Sequence, residues 1–204
     1  MHTITSITIQ EKNNKRCNLF VDGKFYSGVS LEIVLGNRLK VGMEISEEIL
    51  SNIVQESMKK EALERAVSYV SKALKTKKQV YTYLIKKGYS EDVAWSCVDK
   101  LKGYNLINDT EYSKRYIDCS SKNQGRRLIE YKLMMKGVKK DEIDSAYSEC
   151  EISSEENARN VAIKYLKNKE KTKENIAKAY RYLIGRGFSY EETSYALSIF
   201  KEGD

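Results

Sequence analysis

The chain of 204 residues contains no proline, a single histidine and four cysteines scattered without a C-x-x-C pair. At ordinary usage of ~5%, about ten prolines would be expected in such a length. Their absence leaves glycine and polar residues to close each element. The histidine is His2, near the terminus, so imidazole-based metal sites and His-dependent triads lack their central group. Cys17, Cys97, Cys119 and Cys150 lie far apart, which predicts neither a disulfide framework nor a zinc knuckle. No apolar run approaches the ~20 residues of a membrane span. The first twenty residues carry no basic stretch leading into an apolar core, so neither a signal peptide nor a membrane partner is expected, and a cytoplasmic location is. There is no G-x-x-x-x-G-K-[ST] or G-x-G-x-x-G loop to cradle a phosphate. Tyr131 beside Arg126 and Arg127 has the look of a flanked nucleophile, but no histidine or second arginine cluster completes it. No enzymatic constellation remains, and no cofactor or metal is expected.

What is present is 41% hydrophobic residues, enough for a core, together with 32% charged residues and fifteen tyrosines. The net charge of +7 and a pI near 9.0 point to an anionic partner. The first forty-five residues read as a small antiparallel β region. Ile4, Ile7 and Ile9 form one strand-like stretch, and Asn18–Val21 leads through Asp22-Gly23 into Lys24–Tyr26, a strong hairpin signal. Asn13-Asn14 is expected to make an earlier turn, residues 31–35 a short helix, and residues 40–45 a further strand element. From residue 46 onward, Ile49, Leu50, Ile53, Val54, Met58 and their successors recur at helical spacing.

An internal repeat is the most informative feature. Leu84-Ile-Lys-Lys-Gly88-Tyr89, Leu133-Met-Met-Lys-Gly137-Val138 and Leu183-Ile-Gly-Arg-Gly187-Phe188 are one motif at spacings of 49 and 50 residues. Each reads as a helix end closed by a left-handed glycine, with the following apolar residue turning back to the leucine as in a Schellman cap. Acids opening the next helix (Glu91-Asp92, Asp141-Glu142, Glu191-Glu192) suit its dipole. Tyr69, Tyr116 and Tyr165 take matching places upstream. The fold class is therefore mostly α: three tandem three-helix repeats in an elongated curved array behind the β region. The divisions are 1–45 (β), 46–60 (connecting helix), 61–107, 108–151 and 152–204 (the repeats).

Seven basic residues and no acid lie between Arg65 and Lys87; nine basics and two acids lie between Arg159 and Arg186. Lys87, Lys136 and Arg186 fall at equivalent last-turn positions, where a cation needs no partner beyond the helix dipole. Lys77-Lys78 and Arg126-Arg127 instead open helices, where the dipole disfavours them, so an anionic partner is the sharper reading there. With Lys86, Lys132 and Arg181 these make the candidate binding set; Gly88, Gly137, Gly187 and Asp109 are candidate structural caps. Tyr81, Tyr83, Tyr131, Tyr180 and Tyr182 interleave with the basics. They could stack on bases of single-stranded nucleic acid or simply pack in a core, and Trp95 is expected to be core.

The repeated L-x-x-[KR]-G cap, the three-unit layout and the stretch Leu101-Lys-Gly-Tyr-Asn-Leu-Ile-Asn-Asp109-Thr-Glu-Tyr112 resemble the RecX family of recombinase regulators. Residues 125–138 resemble its central signature, with Arg126 where the family often has proline and Asn108-Asp109 in place of an aspartate pair. The likeness covers roughly 61–200, and the β region resembles the front extension of longer members. The resemblance implies a non-catalytic protein that binds the RecA filament on single-stranded DNA. It also implies inhibition of ATP hydrolysis, strand exchange and repressor cleavage by blocking filament growth or promoting disassembly. Lys77, Lys78, Arg126, Arg127, Lys132 and Lys136 would carry that contact, with Asp109 a structural cap. A monomer is expected. Two other readings stay open: a general single-stranded nucleic-acid binder that competes for DNA, and a helical-repeat adaptor for an unrelated acidic protein.

Overall fold

A computed structural model of the chain describes residues 1–200. The chain divides into two compact units, Met1–Ala73 with Val80–Leu106, and Leu74–Gln79 with the chain from Ile107 onward.

The first unit opens with a four-stranded antiparallel sheet built from β1 (His2–Gln10), β2 (Asn13–Val21), β3 (Lys24–Ser30) and the short β4 (Glu44–Ile45), in the order β3-β2-β1-β4. Asp22 and Gly23 both take positive φ (50° and 77°), and Val21 pairs with Lys24, so the hairpin forms where Asp-Gly permits a two-residue turn. The preceding turn is centred on Glu11-Lys12 and not on Asn13-Asn14. Asn13 already pairs with Gln10, and its side chain accepts a hydrogen bond from the Lys15 amide at 3.1 Å. Between β3 and β4, α1 (Leu31–Gly36) is N-capped by Ser30. One sheet face buries Ile4, Leu19, Val21 and Val29 against Ile33, Val34, Leu50 and Ile53.

The helix α2 (Glu47–Val70) starts at an N-cap from Ser46 and runs unbroken for 24 residues, through residue 60. Its first half thus covers the sheet, while Ala62 and Ala66 are buried further along. Ser57 accepts the Ser30 amide at 2.8 Å, and Arg16 of β2 pairs with Glu61. Most of α3 (Lys77–Lys86) and α4 (Glu91–Gly103) complete the unit, burying Val80, Leu84, Val93, Val98 and Leu101. Trp95 departs from expectation. It is 48% exposed, its ring stacked on Tyr81 at 4.6 Å, because α4 buries Val93, Ala94, Cys97 and Val98 and turns position 95 outward.

The second unit holds two three-helix groups. The helices α5 (Asp109–Ser120), α6 (Arg126–Met135) and α7 (Lys140–Ser148) enclose Ile117, Ile129, Leu133, Val138, Ile143 and Ala146. The helices α8 (Ser154–Leu166), α9 (Lys173–Gly185) and α10 (Tyr190–Ser198) enclose Ala162, Leu166, Leu183, Phe188 and Leu197. Among the described residues the molecule is thus mostly helical, ten helices behind one small antiparallel sheet. No helix among them is long and apolar enough to cross a membrane.

Candidate functional site

Each repeated motif ends its helix in one geometry. Gly88, Gly137 and Gly187 have φ of +88°, +85° and +88°. The amides of Tyr89, Val138 and Phe188 reach back to the carbonyls of Leu84, Leu133 and Leu183 at 3.3, 3.1 and 3.3 Å. This is the six-to-one bond of a Schellman cap, which only a residue at ease with positive φ can close.

Beside each cap sits a cation over tyrosine. Lys87 lies 5.8 Å from the Tyr83 ring, itself stacked on Tyr69 at 4.2 Å and nearly parallel. Lys136 lies 5.8 Å from Tyr116. Arg186 lies 5.0 Å from Tyr182, which stacks on Tyr165 at 4.5 Å, and Lys169 covers Tyr165 from 3.3 Å. The matching tyrosines of the sequence thus recur in space as the platform under a last-turn cation, an arrangement in which charge and ring attract each other. Position 132 breaks the pattern. Lysine stands where Tyr83 and Tyr182 stand in the other repeats, and its ammonium reaches Gln124 at 2.7 Å.

The helix-opening basics have a different character from that expected of them. Lys77 is met from inside: its ammonium lies 2.6 Å from Glu142 and 4.0 Å from the buried Asp109, whose carboxylate also accepts the Lys77 amide at 3.0 Å. Burial would lower the Lys77 pKa, but the Glu142 hydrogen bond and the charges of Asp109 and Glu142 leave it raised. Burial pushes the Asp109 carboxyl up, partly offset by Lys77. Thr76 and Gln79 form a reciprocal cap (3.0 and 3.2 Å) at the start of α3, a T-x-x-Q signature legible in the sequence and not used above. Arg126, half exposed, touches Glu130 at 2.6 Å and Asp144 at 2.8 Å, and its guanidinium lies 4.4 Å from the Tyr147 ring. A cation at these two helix starts therefore needs no outside anion. Position 126 is also the first residue of α6, where proline is tolerated, so arginine there changes nothing in how the helix begins.

Arg127 is exposed, and its side chain makes no ion pair among the described residues. Lys78 lays its stem over Gly137. Lys86 and Arg181 are exposed, whereas Lys132 and Lys136 are half-buried. Tyr131 is 57% exposed, while Tyr81, Tyr83, Tyr180 and Tyr182 are half-buried in ring pairs.

The Arg126 cluster fixes a pH dependence. Burial would raise the Glu130 pKa, but hydrogen bonds from Arg126 and Lys140 (2.6 and 2.9 Å) hold it below its ordinary value. A depressed carboxyl contributes stability that is full above the unfolded value of about 4.3 and is lost as pH falls through the folded value. Thermal melts from neutral pH down to about pH 3 are expected to show a falling acid limb, flattened in Glu130→Gln. Asp109, with its raised value, acts in the opposite sense, since acid relieves the cost of burying its charge.

Three-helix groups that each place a cation over tyrosine, together with one small antiparallel sheet, define a helical-repeat protein. Family models describing the regulatory protein RecX N-terminal domain, the first RecX three-helix domain and the third match residues 2–46, 62–101 and 153–197. The chain is 36% identical over 205 residues to Regulatory protein RecX of Clostridium beijerinckii, covering 97% of this chain and 95% of that one. It is 33% identical over 196 residues to that of Clostridium botulinum, covering 94% and 92%. A crystal structure of regulatory protein RecX superposes with a TM-score of 0.72 at 24% identity, covering 99% of this chain and all of that one. A second, of RecX from Lactobacillus salivarius, gives 0.63 at 22% identity, covering 71% and 97%. The chain belongs to the RecX family of regulatory proteins, which are not enzymes.

Proposed function

We propose that this protein binds the RecA filament on single-stranded DNA in the cytoplasm. It inhibits ATP hydrolysis, strand exchange and coprotease activity by blocking filament growth or promoting disassembly. The observation that carries this reading is family membership along nearly the whole chain. The cation-on-tyrosine group recurring once per repeat supports it, because a polymer of identical subunits offers the same target at regular intervals. We divide the chain accordingly into a β region (1–45), a connecting helix (46–60) and three repeats (61–107, 108–151 and 152–204).

The test is single-stranded-DNA-dependent ATP hydrolysis by the cognate recombinase, titrated with this protein far below one per protomer. Suppression at such ratios is expected. The stacked tyrosines under lysine and arginine also suit a second reading, direct competition for single-stranded DNA. In that case hydrolysis falls only once the DNA lattice is covered, and binding to naked DNA drops steeply with salt.

A further inference from the structure

The caps of the second and third repeats are both occupied, and in the same way. The helix start opening α3 seats on the second cap: the Thr76 hydroxyl donates to the Lys136 carbonyl at 2.7 Å, and the Lys78 stem fills the space a Cβ on Gly137 would need. The helix start opening α6 seats on the third: the Gly125 amide donates to the Arg186 carbonyl at 2.9 Å, the Arg127 amide donates to the Gly187 carbonyl at 3.2 Å, and Leu128 closes over Gly187. In each joint the second helix of one repeat begins on the cap of the next. The first cap has the same backbone geometry but no occupant among the described residues. Gly88 is exposed, and nothing lies within 4 Å of where its Cβ would stand, whereas Gly137 is half-buried and Gly187 buried.

One helix start of this type has no seat among the described residues. It opens α9, where Lys171-Thr172-Lys173 repeats Lys75-Thr76-Lys77, and all three residues are exposed. The helix is 13 residues long against 10 for α3 and α6, so this start projects about one turn further. The charges also match. In the first joint Lys77 pairs with Glu142 on the helix after the cap, and the helix after the open cap carries exposed Glu91 and Asp92 in its first turn.

We propose that the Lys87-Gly88 cap is a docking socket for the α9 start of a second copy of this chain, joining copies head to tail. Such a contact is heterologous: each copy offers one socket and one helix start, so it can repeat from copy to copy. It is also small, well under the ~1,000 Å² of a stable interface, so association is expected only on the order of 0.1–1 mM. The free protein is then a monomer at low concentration, and copies held side by side on a common polymer engage the joint.

Sedimentation velocity of the full chain, without recombinase or DNA, tests this independently of the proposed function. From about 10 µM to about 1 mM the sedimentation coefficient is expected to rise with concentration. Gly88→Asn keeps the left-handed cap, which asparagine tolerates, but puts a side chain into the socket; it is expected to melt within a few degrees of the parent and not to associate. Lys171→Glu/Lys173→Glu spoils the other partner and is expected to behave alike. Mixed, the two variants retain one good socket and one good helix start, so they are expected to form a dimer and nothing larger. A parent chain that stays monomeric throughout overturns the proposal, as does Gly88→Asn that associates like the parent. A mixture that fails to pair overturns the assignment of α9 as the occupant.

Discussion

Gly187→Ala is expected to destabilise the protein by about 3 kcal/mol or more, whereas Gly88→Ala costs only about 1–2 kcal/mol. Both glycines have φ of +88°, so the strain of a left-handed alanine, about 1–2 kcal/mol, is common to both. The difference lies in what surrounds them. A methyl on Gly187 would press on the Leu128 amide and side chain, and the backbone there is held by hydrogen bonds from the Gly125 and Arg127 amides. Overpacking against backbone adds about 1–3 kcal/mol. Gly125→Ala reports on the same joint from the other side, since its methyl would meet the Gly187 carbonyl and the Phe188 amide. Urea or thermal unfolding of the three variants checks the ranking, and equal losses at positions 88 and 187 would refute the joint.

The largest functional effect is expected from Arg127→Glu/Lys132→Glu: a loss of at least about tenfold in potency against recombinase ATP hydrolysis, with the melt lowered by only a few degrees. Neither side chain is tied to an acid. Arg127 is exposed, and half-buried Lys132 donates to the neutral Gln124; neither has an ion pair among the described residues. At an interface, reversing two charges that face an anion costs several kcal/mol, whereas the fold loses about 0.5 kcal/mol or less at exposed Arg127 and one hydrogen bond, about 1 kcal/mol, at Lys132. Arg126→Glu is the contrasting variant. It would place a third carboxylate beside Glu130 and Asp144 and remove the cation over Tyr147, so it is expected to lower stability and potency together. Arg126 alone therefore makes a poor probe of binding, although its helix-opening position first drew attention to it. The double reversal leaving potency intact would remove this face from the binding surface.

The caps could be read in the sequence because their cause is local. Positive φ selects glycine, the six-to-one bond fixes the distance back to leucine, and the dipole of the next helix selects acids, all within some ten residues. The Asp22-Gly23 hairpin follows from the same kind of constraint, and so does the helical run after residue 46. The repeat at 49 and 50 residues multiplied a short signal by three and carried the family with it.

Tertiary structure alone decided the charges and the surfaces. Lys77 and Glu142 are 65 residues apart in the chain, so no short window shows that Lys77 is already paired; Arg126 has a local partner in Glu130, four residues on, but its second, Asp144, is 18 residues away. Trp95 looked like core because indole is large and apolar, but helical phase relative to its neighbours set its exposure. The three cap glycines are nearly identical in sequence context and in φ. Only the folded chain separates them, because occupancy depends on which helix start comes to rest on each. Among the described residues two caps are filled and one is open, a difference that steric contact creates and residue identity cannot encode.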